Sequence, residues 1–411
     1  MSEGASLTKS KKLIPTLLKW VLIVLFVSAI SYLTHLCDKW SEYHNRGSSP
    51  DIDVGPWGNL QSWTIRLEQP QEYTGFASLE NKPTLWHFGT LSPEQVANMM
   101  SQCGISQEDA VRIIRQCRLP SESGIVLRPD ERTLLSLSPD VRSRLYRELA
   151  KDPANRFQAT PYMIPGGDPS PLFNEHHTSD AEAISQMKKL SYQRNGFTYF
   201  SDPEVVFSHL KTQEEQREFK QALTGERVVM ARLLIRKDED IDKAINYWAL
   251  SMPDVKIKDI RPLFEAEKSL PEGGSISLLY LLPPLARQKL YTSPLPPEVS
   301  GQKMPDCHWT ALNFFNSAPD PRMSDNEFAS KYIQENYYQI AKPGVGGDLV
   351  LLLDDNNRVI HSSVYVASDL VFTKNGVNYA QPWVLMHEKD MIGHFSGVDP
   401  VKVAYFRRKG I

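Results

Sequence analysis

The sequence has almost no excess of charge of either sign, because 46 Lys and Arg residues are balanced by 49 Asp and Glu for a net charge of −3. Nothing in that balance indicates a nucleic-acid-binding surface, so no nucleic-acid partner is expected. No repeat of 20–50 residues is visible, which excludes a repeat array. With 411 residues and an ordinary hydrophobic content of 41%, the chain is expected to form two or more domains.

Cysteine is also scarce, and the four residues of this type are Cys37, Cys103, Cys117 and Cys307. Cys103 and Cys117 are the obvious candidates for a disulfide. The sequence predicts two helices over 92–101 and 107–116, with Cys103 in the turn and Cys117 at the far end of the second helix. Ten or more helical residues then separate the two by roughly 15 Å, beyond the limit for a bridge. Cys307 is therefore expected to be a free thiol, which an external protein seldom keeps without a use.

One long apolar run stands out near the N-terminus. Residues 20–36 carry no charged side chain, and as a helix they would span about 26 Å, near the lower limit for crossing a bilayer. Lys19 can snorkel to the interface and lengthen that stretch. Because basic residues precede the run, we expect a single-pass anchor over 13–36 with a cytoplasmic N-terminus and the bulk of the chain outside. Small residues at 27–31 leave a cleaved signal peptide as the alternative.

Composition divides the rest of the chain. The segment 293–306 begins with Ser-Pro-Leu-Pro-Pro and is typical of a linker. The resulting organisation is a cytoplasmic tail (1–12), a transmembrane helix (13–36), a linker and irregular region (37–90), a mixed α+β external region of unknown role (91–292), a Pro-rich linker (293–306) and a C-terminal domain (307–411).

The C-terminal domain opens on the segment Pro-Asp-Cys-His-Trp at 305–309. A proline and an aspartate followed by an amphipathic run predict a helix that begins at Cys307. The N–H groups and partial positive charge at a helix start favour thiolate over thiol. Farther along, a Gly-Asp-Leu-Val strand at 347–350 precedes a second strand that begins at His361. A cysteine on a helix followed by a histidine on a strand is the layout of a papain-like cysteine hydrolase.

These three pieces, in this order, resemble the NlpC-type cell-wall cysteine peptidases of the papain-like superfamily. The resemblance covers about the last quarter of the chain, and it departs from the family at His308-Trp309, where Ser-Gly is common. It implies an α+β fold in which the cysteine helix packs on an antiparallel sheet, preceded here by the mixed α+β region and the transmembrane helix. It also implies Cys307 and His361 as the catalytic pair. No cofactor and no metal are required.

The family uses a third polar residue to orient the histidine, on the strand that follows. Thr373 has the matching spacing, whereas Asn375 has the better chemistry because an amide oxygen can accept from imidazole N–H. Lys374 would face the other way, although a slip of one residue would exchange the faces. The prediction is Asn375.

The resulting hypothesis is a membrane-anchored thiol hydrolase that cleaves amide bonds of cell-wall peptides or a related amide substrate. Acyl or amide transfer on the same thiolate is one alternative. A catalytically silent domain that binds wall peptides or a protein is the other, and a protein partner of the 91–292 region remains open.

Overall fold

The computed structural model describes residues 51–67, 83–122, 124–173, 180–252, 256–295, 300–301, 303–377 and 380–410. Within these ranges the protein is mixed α+β, and its named strands pair antiparallel in every sheet. The α+β class and the antiparallel sheets predicted from the sequence are therefore confirmed.

The strands, in chain order, are β1 (Asp51–Gly55), β2 (Gly58–Leu67), β3 (Trp86–His87), β4 (Arg118–Leu119), β5 (Val126–Leu127), β6 (Tyr162–Ile164), β7 (Tyr192–Arg194), β8 (Phe197–Phe200), β9 (Glu226–Ile235), β10 (Gly274–Ser277), β11 (Tyr337–Ile340), β12 (Leu349–Leu353), β13 (Val359–Ala367), β14 (Leu370–Lys374), β15 (Trp383–His387) and β16 (Lys402–Arg408).

The α-helices, in chain order, are α1 (Pro93–Gln102), α2 (Gln107–Cys117), α3 (Glu131–Ser136), α4 (Pro139–Leu149), α5 (Arg156–Ala159), α6 (Asp180–Leu190), α7 (Pro203–His209), α8 (Gln213–Thr224), α9 (Asp242–Leu250), α10 (Ile257–Ser269), α11 (Pro284–Lys289), α12 (Cys307–Leu312), α13 (Asn326–Asn336) and α14 (Glu388–Phe395). Short 3₁₀ turns lie at Pro165–Gly167, Ser170–Leu172, Leu278–Leu281 and Pro321–Ser324.

Side-chain caps fix the starts of several helices. Ser92 accepts a hydrogen bond from the N–H of Gln95, and Pro93 occupies the first position of α1, where a missing N–H costs nothing. The helices α1 and α2 lie where the sequence predicts them. Cys103 directly follows α1 and Cys117 ends α2, and both thiols are free.

The strands β2 and β9 form one long antiparallel hairpin, from Asn59 opposite Leu234 to Leu67 opposite Glu226. Together with β1 and β10 they make a four-stranded sheet in the order β1-β2-β9-β10. Everything between the two central strands, residues 68–225, is inserted at the end of this hairpin. The described part of that segment from residue 83 onward is called the insertion below.

The insertion has a hydrophobic core of its own. Its buried cluster runs from Trp86 to Phe219 and includes Tyr146 and Tyr199. The insertion also contacts the end of α14 and the segment that follows it. Tyr199 Oη donates to the Gly393 carbonyl at 2.7 Å, and the side chains of Arg194, Asn195 and Arg147 donate to the carbonyls of residues 397, 396 and 398.

The C-terminal sheet has six strands in the order β11-β16-β12-β13-β14-β15. The central strand β12 reads Leu-Val-Leu-Leu-Leu and is buried along most of its length. Such a continuous apolar strand fits a sheet covered on both faces. Helix α12 packs on one face, and α14 packs on the other.

The Pro-rich segment 293–306 does not separate two cores, contrary to the domain boundary expected there. Leu290 before it and Ala311 after it belong to one hydrophobic cluster, which also joins the four-stranded sheet to the C-terminal sheet. The backbone of Tyr291 and Thr292 hydrogen-bonds to Trp383, so the chain extends the sheet beside β15 just before the segment begins.

The predicted transmembrane helix requires a correction. Residues 13–36 lie outside the described residues, and none of the helices within the described ranges is both long and apolar enough to span a bilayer. The part of the chain that the structure describes therefore gives no support to the transmembrane helix or to the single-pass placement inferred from it.

Candidate functional site

Helix α12 begins at Cys307 because the residue before it is a strong cap. The Asp306 carboxylate accepts a hydrogen bond from the N–H of Trp309 at 2.7 Å. Thr310 Oγ1 donates to the Asp306 carbonyl and accepts from the indole N–H of Trp383 at 3.0 Å. These bonds tie the first turn of α12 to the edge strand β15 and fix the position of the cysteine.

The Cys307 thiol lies against strand β13 and is only 7% exposed. Burial raises the pKa of this thiol to about 11, assisted by the Asp306 charge, and hydrogen bonding to the backbone at Ser362 and His308 acts in the opposite direction. In the structure the sulfur is therefore a protonated thiol at neutral pH. A helix start alone does not make it a thiolate.

Two faces of the C-terminal sheet have to be distinguished. The cysteine face carries Leu351, Val364 and Phe372 and packs against α12. The histidine face carries Leu352, Tyr365 and Val371 and packs against α14. Neighbouring residues of a strand point to opposite faces, so each strand contributes alternately to the two.

His361 lies on the histidine face. It stands opposite Leu352 in the register of β12 and β13, and its ring stacks on Phe395, which ends α14, with 4.1 Å between ring centroids. The structure therefore does not bring His361 together with Cys307, because its imidazole and helix α12 occupy opposite faces of β13. The predicted Cys–His pair is not formed.

The hydrogen bond that orients His361 comes from Thr373 and not from Asn375. His361 Nε2 lies 2.8 Å from Thr373 Oγ1, whereas the Asn375 amide donates to Glu226 Oε1 at 2.7 Å. The choice of Asn375 as the orienting residue is corrected accordingly. Two buried atoms on this face, His361 Nδ1 and Asn375 Oδ1, have no hydrogen-bond partner among the described residues.

The imidazole of His361 is fully buried, and its pKa lies well below the ordinary value, mainly because of burial and further because of His394 and His308. A neutral ring can accept a proton only at considerable cost. As placed in the structure, His361 is a structural element of the histidine face.

Two other basic side chains do lie beside the cysteine. His308 Nδ1 is 2.7 Å from Ser362 Oγ, which links α12 to β13, and burial lowers the pKa of His308. Lys374 is fully buried on the cysteine face, opposite Trp383 in the register of β14 and β15. Its ammonium donates to the Gly376 carbonyl at 2.6 Å.

The sequence contained the signal for Lys374. Alternation along β14 puts Thr373 and Lys374 on opposite faces, so a histidine on one face and a lysine on the other could both be foreseen. The sequence did not show which face α12 covers. In the structure Lys374, and not His361, lies on the face that α12 covers.

No set of three or more His, Cys, Asp or Glu side chains within the described ranges is arranged to hold a metal ion. What the arrangement offers is a buried thiol beside a lysine and a histidine, on the covered face of an antiparallel sheet. No family model, no curated protein and no solved structure matches this chain.

Proposed function

We propose that the C-terminal domain is a thiol hydrolase of the papain-like NlpC type that acts on peptide-type amide bonds, with Cys307 as its nucleophile. The observation that carries this proposal is the position of Cys307, at the first residue of a capped helix laid across an antiparallel sheet, with a buried lysine on the same face. An inert core cysteine has no need of a buried cation beside it, because an uncompensated charge is costly to bury.

The reaction follows from the chemistry of a thiol. Cys307 loses its proton, and the sulfur bonds to the acyl carbon while the C–N bond breaks and the departing amine takes up a proton. Water then cleaves the thioester, giving its hydroxyl to the acyl carbon and its hydrogen to the sulfur. An amine acceptor in place of water would give acyl transfer, which is the same chemistry with another second substrate.

The substrate class proposed here is a cell-wall peptide, and its support is the resemblance of the Asp-Cys, Gly-Asp-Leu-Val and His motifs to NlpC-type peptidases. Asp348 of the second motif has a structural task in this fold. Its carboxylate accepts hydrogen bonds from the N–H groups of Gly344 and Val345 and forms a bidentate salt bridge with Arg407. This part of the resemblance therefore supports the fold of the domain rather than the identity of its substrate.

A second candidate function has an observation in its favour. Cys307 is 7% exposed and burial raises its pKa to about 11, as in a cysteine that serves only as a small core residue. On this alternative the domain is catalytically silent and binds a peptide or a protein.

Hydrolysis of peptidoglycan fragments by the full chain tests the first proposal against the second. We expect new amine termini to appear, detected by mass spectrometry, and the Cys307→Ser variant to be slower by at least about 100-fold. Cys103→Ser is the matched control, because that thiol is also buried and free but lies in the insertion. Equal rates for Cys307→Ser and the wild type would contradict a thiol mechanism. An added amine distinguishes transfer from hydrolysis by the mass of the product.

A further inference from the structure

We propose that Lys374 is the charge partner of Cys307, so that an ammonium group rather than an imidazole stabilises the thiolate. This inference rests on the proposed function, since it concerns the same sulfur, but it can be tested without any substrate. It makes the site a Cys–Lys arrangement, in contrast to the Cys–His pair that the sequence motifs imply.

Strand register places Lys374 on the cysteine face of the sheet. Lys374 stands opposite Trp383, whose indole N–H bonds to Thr310 on the first turn of α12. The ammonium lies 6.0 Å from the centre of the Trp383 ring. Lysine, tryptophan and the start of the cysteine helix are thus packed together, whereas the ring of His361 is on the other side of the sheet.

The ammonium is held in a fixed place. Its Nζ donates to the carbonyl of Gly376, two residues along the chain, at 2.6 Å. Gly376 has a φ of +114°, a conformation that L side chains rarely adopt, so the turn that brings this carbonyl back towards Nζ depends on glycine. A buried lysine anchored in this way keeps its charge within reach of α12.

The charges around Lys374 match a role beside a thiolate. Burial lowers the pKa of Lys374 to about 8, and Cys307 and Asp306 act to raise it. His308, next to Cys307 on α12, hydrogen-bonds to Ser362 of β13, and burial lowers its pKa. From α11 the ammonium of Lys289 lies 5.2 Å from the Trp383 ring. Among these groups, Cys307 and Asp306 are the two that favour the charged lysine.

The pH dependence of the thiol follows from this pairing. Below about pH 8 Lys374 carries its proton, and Cys307 favours that charged form. Because the interaction of two charges is mutual, the ammonium should in turn favour loss of the proton from Cys307. As the pH rises through about 8 the lysine becomes neutral, and its electrostatic stabilisation of the thiolate is lost. Between the pKa of Lys374, about 8, and that of Cys307, about 11, the pair as a whole has lost one proton. The fraction of pairs that hold a thiolate beside an ammonium is then independent of pH, so the thiolate population should level off.

The experiment measures alkylation of Cys307 by iodoacetamide in the full chain from about pH 6 to pH 10, quantified by mass spectrometry of the peptide that contains it. For the wild type we expect the rate to rise about tenfold per pH unit and then to level off near pH 8. For Lys374→Met we expect a rate at least about tenfold lower below pH 8 and a rise without levelling. Lys374→Arg keeps a cation that does not titrate in this range, so it should react as fast as the wild type at pH 7.

His361→Gln is the matched control, since it removes a buried basic side chain from the other face, and it should leave the wild-type profile unchanged. Superimposable profiles for the wild type and Lys374→Met would overturn the inference. A profile that changes in His361→Gln but not in Lys374→Met would overturn it as well. If the alkylation profile depends on Lys374 but no peptidoglycan fragment is cleaved, the proposed hydrolase activity is contradicted and the Cys307–Lys374 pairing is supported. Cleavage that needs Cys307 but persists in Lys374→Met would support the proposed hydrolase and contradict the role of Lys374.

Discussion

Thr373 and His361 are joined by a hydrogen bond of 2.8 Å between neighbouring strands, on the face of the sheet that α12 does not cover. Because both partners are buried, this bond orients a ring that no solvent reaches. Thr373→Val should leave the imidazole nitrogen without a partner at nearly unchanged volume. We expect a loss of about 1–3 kcal/mol in the free energy of unfolding, measured by denaturant titration. Thr373→Ser, which keeps the hydroxyl, should recover most of it.

The depressed pKa of His361 makes a prediction about acid stability. The native state keeps this imidazole neutral, whereas the unfolded chain protonates it below about pH 6.5. Stability contributed by the neutral ring is therefore complete above that pH and is lost as the pH falls, with a slope of up to about 1.4 kcal/mol per pH unit.

His361→Gln should remove this contribution, so the difference in unfolding free energy between pH 5 and pH 7 should be smaller in the variant than in the wild type. The control is His209→Gln, whose imidazole lies within reach of Glu131 and Glu182 in the insertion. An unchanged difference for His361→Gln would show that the ring is already protonated in the native state.

The insertion should control the mobility of the segment after α14. Tyr199→Phe deletes only the hydroxyl that bonds to the Gly393 carbonyl. We expect faster amide hydrogen exchange over residues 393–398, with the rest of the C-terminal sheet unchanged, since local opening follows the loss of local bonds. Tyr192→Phe is the matched control, because its hydroxyl bonds to Ser201 inside the insertion. Equal exchange over residues 393–398 in the two variants would show that the Tyr199 hydroxyl does not restrain this segment.

The ion pair of Asp348 and Arg407 should contribute more to stability than a surface pair. Asp348 is 2% exposed, so Arg407→Met leaves a buried carboxylate without its cation. We expect a cost of about 3 kcal/mol, measured by thermal or denaturant unfolding. Arg322→Met breaks the exposed pair with Asp320 and should cost less than about 1 kcal/mol. Similar costs for the two variants would mean that water reaches Asp348.

Much of this architecture could be predicted from local patterns. The helices α1 and α2, the apolar strand β12 and the start of α12 at Cys307 all follow from residue types within a few positions of one another. The strand that carries His361 begins at Val359, two residues before the expected start. Alternation along β14 even separates Thr373 from Lys374 correctly. These features depend on backbone geometry, which a short segment determines by itself.

The choice of face could not be predicted in the same way. A period of two assigns His361 and Ser362 to different faces, but it does not say which of them meets α12. That depends on the core that the helix shares with β2 and β9, which come from distant parts of the sequence. The boundary expected at 293–306 is wrong for the same reason, since the residues on both sides of it share that core.

The hairpin of β2 and β9 gives the insertion a particular kind of independence. Because Leu67 and Glu226 are register partners, the chain leaves the sheet and returns to it at a single point. A genetic event that added or removed residues 68–225 would leave the order and direction of every strand in both large sheets as they are. The carbonyls at the end of α14 and just after it would lose their donors, and Arg66 would lose its bond to the Pro171 carbonyl. The strand order of the two large sheets would therefore survive the gain or loss of this whole module in evolution.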